Sequence, residues 1–184
     1  MEINKIINLC KKSGEIRIYK NGSVQWITDL HAVYPLFGCP DFDETSFCAA
    51  YDISDEKTRI IFDELPRGFD FGDEIESETE CERGRPIFGA LVPITTAHGI
   101  EFIKSKYLAP FSDADDNMLR IFERKTAAGM TYFAVKDGFM LVGLVMPYDC
   151  IDEAFVKRLK DLAEQCEITL YHKKNEAEKR EAGE

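Results

Sequence analysis

The 184-residue chain carries six cysteines (Cys10, Cys39, Cys48, Cys81, Cys150, Cys166) and three histidines (His31, His98, His172), the residue types able to hold a metal or to act as nucleophile and base. No two cysteines form a C-x-x-C pair and no two histidines an H-E-x-x-H pair, so spacing assigns no metal site. The cysteines read as free thiols, disulfides being the alternative, because a chain of this length builds a core without staples. A Cys/His pair assembled in space from distant segments stays open as an enzyme reading. The glycine-rich phosphate loops G-x-G-x-x-G and G-x-x-x-x-G-K-[ST] are missing, as is a G-x-S-x-G elbow. Thirty-four acids pair too readily by chance to single out a general acid. The expectation is a non-enzymatic protein with no catalytic residue, no metal and no cofactor.

Twenty-three Lys and Arg against those thirty-four acids leave a net charge of −11. That balance disfavours non-specific nucleic-acid binding through the outer surface and leaves room for a local basic face. No stretch approaches the ~18 to 20 apolar residues of a membrane span, and the opening Met1-Glu2-Ile3-Asn4-Lys5 lacks the basic-then-apolar order of a signal peptide. A cytoplasmic protein with no membrane partner is expected.

The elements that must position any site follow from periodicity. Ile3, Ile6, Ile7 and Cys10 recur at helical spacing over residues 2–12, ahead of Gly14. Residues 15–20 and 24–28 flank Asn21-Gly22, the turn signal of a hairpin. Residues 29–55 are ambiguous, and 58–62 read as a short strand. From Asp70 to Glu82 seven acids occur without a base, which predicts a solvated, mobile loop or, alternatively, a site for a basic partner. Ordered segments follow at 86–93 and 98–103, a short helix at 105–111 and a strand at 118–124. A second hairpin spans 131–135 and 139–146 through Lys136-Asp137-Gly138. Ile151, Phe155, Leu159, Leu162 and Cys166 mark a helix over 152–165, 167–172 an edge strand, and 173–184 a frayed charged tail. The order predicts an α+β fold with antiparallel sheets and helices on one face, arranged as units 1–85 and 86–172 and a tail 173–184.

Two segments resemble the sliding clamps of bacterial DNA polymerases. Trp26-Ile27-Thr28-Asp29-Leu30-His31-Ala32-Val33 is similar to that family's A-T-D-G-H-R-L segment. Residues 99–108, 118–122, 131–135 and the closing Gly143-Leu144-Val145-Met146-Pro147-Tyr148 are similar to its last domain, with an I-x-F-x-x-x-Y-L entry and a V-M-P-M close. Leu30 stands where the family has Gly, and Ala32 where it has Arg. The resemblance implies a DNA-clamp-like fold and a processivity role in replication or repair. It also implies an apolar pocket for the linear peptides of polymerases and repair factors, at Thr28, Asp29, His31, Val33, Val145, Met146 and Pro147. A basic inner face for DNA would use Lys5, Lys11, Lys12, Lys104 and Lys106, which otherwise read as solvated helix ends. A closed ring would need an oligomer of this chain. The alternative is an interaction or regulatory module on the same scaffold that does not bind DNA.

Overall fold

A computed structural model describes residues 2–53, 58–111 and 119–181. The chain divides into two compact units, Met1–Tyr148 and Asp149–Glu184. The first unit is a mixed α+β fold around a ten-stranded sheet of order β4-β1-β2-β3-β10-β9-β8-β5-β6-β7. These strands are β1 (Glu15–Asn21), β2 (Val24–Thr28), β3 (Ala32–Pro35), β4 (Arg59–Asp63), β5 (Thr79–Arg83), β6 (Leu91–Thr96), β7 (Gly99–Lys104), β8 (Leu119–Lys125), β9 (Thr131–Asp137) and β10 (Met140–Val145). All neighbours are antiparallel except β1 and β4, which run parallel. The boundary expected at 85/86 runs through this sheet, because β5 before it pairs with β6 after it, and β3 pairs with β10.

Both hairpins form at their turn signals, and Gly22 and Gly138 take the left-handed backbone (φ 60° each) that the two-residue turns require. Helix α1 (Ile3–Ser13) buries Ile6, Ile7 and Cys10 and ends at Gly14 with φ 79°. The ambiguous 29–55 stretch resolves into β3 and α2 (Glu44–Tyr51), whose start carries a capping box between Asp43 and Ser46. Pro110 has no N–H to continue a helical ladder, so the helix expected at 105–111 is two separate 3₁₀ turns, Ser105–Tyr107 and Ala109–Phe111.

One face of the sheet packs α1 and α2 side chains, Ile6, Ile7, Cys10 and Phe47, against Ile16, Ile18, Ile27, Tyr34, Val135 and Val145. The opposite face carries Tyr19, Trp26, Tyr132, Leu141 and Leu144 and has no helix among its cluster; Leu65, Phe69 and Phe71 of the segment after β4 lie against it instead. Phe71 meets Trp26 edge-on at 4.9 Å, and Phe69 meets Tyr132 at 4.9 Å.

This covering segment is solvated at six of the seven acids of the 70–82 run, as expected, but Glu78 and the backbone around it are fixed to the sheet. Arg124 on β8 is fully buried, and all five of its N–H groups are directed into the acidic run. Nε and Nη2 donate to Glu78 Oε2 (2.9 and 2.6 Å), Nη1 donates to the carbonyls of Asp70 and Gly72 (3.1 and 3.0 Å), and Nη2 also to that of Asp73 (3.3 Å). Lys136 on β9 pairs with the other Glu78 oxygen. The Asp73 carboxylate accepts the Leu141 N–H at 2.8 Å, and Thr79 onward joins the sheet as β5.

Gly143 makes the β3–β10 junction sterically possible. A Cβ there would stand 2.7 Å from Phe111 Cζ and 3.1 Å from the Val33 carbonyl, beside the register shift between Leu141 and Gly143.

In the second unit, α3 (Glu153–Glu181) is a single helix of 29 residues. The edge strand expected at 167–172 is helical here, as are residues 173–181 of the tail expected to fray, while 182–184 lie outside the described residues. No glycine or proline interrupts residues 153–181, and Glu, Lys, Ala and Leu favour the helix throughout. Among the described residues no helix is long and apolar enough to cross a membrane.

Arg124→Met strips Glu78 of its fully buried partner and frees three backbone carbonyls, so the variant should lose about 3–5 kcal/mol in a denaturant titration. Gly143→Ala should cost about 1–3 kcal/mol in the same assay, because the added methyl displaces Phe111.

Candidate docking site

The turn between β2 and β3 is built from its own side chains. Thr28 Oγ1 accepts the Leu30 N–H at 2.9 Å, and Asp29 Oδ1 accepts the N–H groups of His31 and Ala32 at 3.0 and 3.1 Å. These bonds hold Leu30 at φ 74°, a left-handed conformation that costs a side-chain-bearing residue about 1–2 kcal/mol. The position where the resembled family has glycine therefore keeps a glycine-like backbone with leucine in it. The Leu30 side chain is 52% exposed, above the buried Thr28 and Asp29.

The sheet brings the two expected pocket segments together. Val145 pairs with Ala32, and the Met146 N–H donates to the His31 carbonyl at 2.8 Å. Val145 is fully buried in the helix-side core, whereas Val33 and Met146 are half-buried against the opposite cluster; Pro147 is half-buried and His31 exposed. The residues thus flank one junction while their side chains divide between the two faces.

Two aromatics that sequence reasoning did not assign complete the junction. Tyr107 lies 5.9 Å from the His31 ring, with the Lys106 ammonium 4.6 Å above its centroid. Tyr148, 40% exposed, donates its N–H to the Phe102 carbonyl at 2.6 Å, and Lys104 sits 3.9 Å over its ring. Tyr107 belongs to the quoted I-x-F-x-x-x-Y-L segment, so the signal was present without a role attached. Among the described residues neither Lys104 nor Lys106 has a carboxylate within ion-pair distance. The other lysines expected to face DNA divide differently. Lys5 pairs with Glu2, Lys11 donates to the carbonyls of Tyr51 (2.9 Å) and Asp52 (3.4 Å) at the end of α2, and Lys12 is exposed.

Beneath the junction lies a buried polar group. Asp29 Oδ2 and the Tyr107 hydroxyl are buried beside one another, close to Cys10, with no other hydrogen-bond partner among the described residues, while the Tyr34 hydroxyl donates to the Tyr107 carbonyl at 2.9 Å. Burial first, and the Asp29 carboxylate second, push the Cys10 thiol and the Tyr34 and Tyr107 phenols well above their ordinary values. A thiol held protonated in this way is a poor nucleophile. His98 lines a 200 Å³ cavity with Ser77, Thr79, Glu123 and Lys125 and no cysteine. Among the described residues no group of three or more His, Cys, Asp or Glu is placed to hold a metal.

The raised values fix the sign of a pH dependence. Cys10, Tyr34 and Tyr107 hold their protons more tightly folded than unfolded, so their contribution is intact below the ordinary thiol value of 9.0 and falls as pH rises above it. Denaturant midpoints should therefore decline above about pH 9. In Cys10→Ala the decline between about pH 9 and 10 should be shallower than in the wild type, because the raised Cys81 thiol remains and the phenols contribute above 10.0.

Comparison with family models, with curated proteins and with solved structures finds no match to this chain.

Proposed function

We propose that this protein works by docking rather than by catalysis, receiving an extended peptide along the strip formed by Leu30, His31, Lys104, Lys106 and Tyr148. The observation that carries this reading is a pair of ammonium groups held over tyrosine rings, with no acid in ion-pair reach among the described residues, on a chain of net charge −11. Beside them a strained turn presents a half-exposed leucine, and backbone strain that the surroundings enforce is characteristic of binding sites. The fitting ligand is a linear segment with acidic groups for Lys104 and Lys106 and an apolar side chain for Leu30 and Tyr148.

A second reading makes the same strip the peptide site of a sliding-clamp-like accessory protein of replication or repair, with DNA contacted through a basic face. The adjacency of the two resembling segments and the glycine-like backbone at Leu30 support it.

Selection from a display library of random linear peptides tests both. Enriched peptides should combine Asp or Glu with an apolar residue. Reversing charge in Lys104→Glu/Lys106→Glu should weaken them by about tenfold or more. Leu30→Gly should weaken binding while leaving or raising stability, because it relieves the turn. Peptides that bind equally well after both changes would remove the strip from the function. Salt-sensitive binding of duplex DNA lost on Lys5→Glu/Lys12→Glu would favour the clamp reading.

A further inference from the structure

We infer that α3 is a self-association element, through which two copies of this chain pair antiparallel with the two-fold axis passing close to Leu162 and Ala163. At about 100° per residue, Val156, Leu159, Leu162, Ala163, Cys166 and Leu170 fall within one sector of roughly 120°. Every charged residue from 157 to 168, namely Lys157, Arg158, Lys160, Asp161, Glu164 and Glu167, falls outside it. Val156, Leu162 and Leu170 are 39%, 43% and 53% exposed, and Cys166 is exposed as well. A broad apolar stripe over more than four turns is a packing face, since helices draw most of their stability from such contacts.

Shape and charge along the stripe both point to a second copy as its occupant. Around the midpoint the stripe is bulky on one side and small on the other. Antiparallel pairing sets Leu162 opposite Ala163 of the second copy, and Leu159 opposite its Cys166, so the two central layers each join a large side chain to a small one. Parallel pairing stacks leucine on leucine and cysteine on cysteine. Lys160 and Glu167 lie on the same flank of the stripe, and antiparallel symmetry brings Lys160 of each copy within about 3 Å, along the axis, of the level of Glu167 on the other. Parallel symmetry instead brings Lys160 beside Arg158. The ends agree. Lys173 enters the apolar sector just beyond Leu170, and the antiparallel register sets it across from Asp152, the residue whose carboxylate accepts the Phe155 N–H at 2.7 Å. The seam is about 22 Å long, short enough for a reversible, concentration-dependent dimer.

Sedimentation equilibrium of the full chain between about 1 and 300 µM tests the pairing; the mass should rise from 21.0 kDa toward twice that value. Leu159→Glu/Leu162→Glu should abolish the rise with helix content retained by circular dichroism. Should that variant lose helix, charge exchange decides: Lys160→Glu should weaken the dimer severalfold, and Lys160→Glu/Glu167→Lys should restore it. Direction is read by oxidation. Leu159→Cys should cross-link through Cys166 of the second copy and lose the cross-link on Cys166→Ser. The wild-type protein should form no Cys166–Cys166 bridge, because those residues lie about 10 Å apart along the antiparallel seam. A monomer at every concentration, a dimer indifferent to the leucine and charge changes, or a wild-type Cys166 bridge would each overturn the inference.

Discussion

Arg124 and Glu78 form the contact on which the first unit depends. A guanidinium with no exposure to water is tolerable only when each donor is satisfied, and here a carboxylate and three carbonyls, all from the acidic run, supply the acceptors. Lys136 balances the remaining oxygen of Glu78. The contact works in both directions. It sets one carboxylate between two cations on adjacent strands, and it fastens a segment that would otherwise repel itself across the sheet face opposite α1 and α2. Phe69 and Phe71 are thereby laid over Tyr132 and Trp26.

Between its two packed faces, the centre of the sheet carries the junction beside which the proposed docking strip lies. The β3–β10 pairing requires the close approach that Gly143 alone permits, and it sets the β2–β3 turn beside the end of β10. Asp29 connects the two levels: one carboxylate oxygen shapes the turn and the other stands in the buried group with Tyr107 and Cys10. Strain at Leu30 is thus held by buried hydrogen-bonding groups while its side chain faces solvent, a division suited to presenting a contact surface.

The second unit follows a different logic. α3 segregates its charges from an apolar stripe within one continuous helix, with opposite charges four apart, such as Glu153 with Lys157 and Lys160 with Glu164, on the solvated side. No described residue of its stripe is buried, so the free energy of burying it remains available to association.

Local physics made much of the architecture legible in the amino-acid order. The helical period of Ile3, Ile6, Ile7 and Cys10, the Asn21-Gly22 turn and the alternation around Lys136-Asp137-Gly138 each act within a few residues, and the elements they specify stand where expected. The α+β class follows from them. Thr28, Asp29, His31 and Met146 were also legible as neighbours, through segment resemblance. Six of the seven acids of the 70–82 run are solvated, as their composition implies, but the anchoring of Glu78 was not legible because its partner Arg124 lies more than forty residues away. Residues 167–172 were misread because Ile168, Leu170 and Tyr171 satisfy a strand's preferences as well as a helix's, and the continuous helix on either side decides between them. Strand order, the Gly143 contact and the placing of Lys104 and Lys106 over tyrosines belong to tertiary structure alone, because each depends on which distant backbones come within a few ångströms, a quantity no short window of sequence contains.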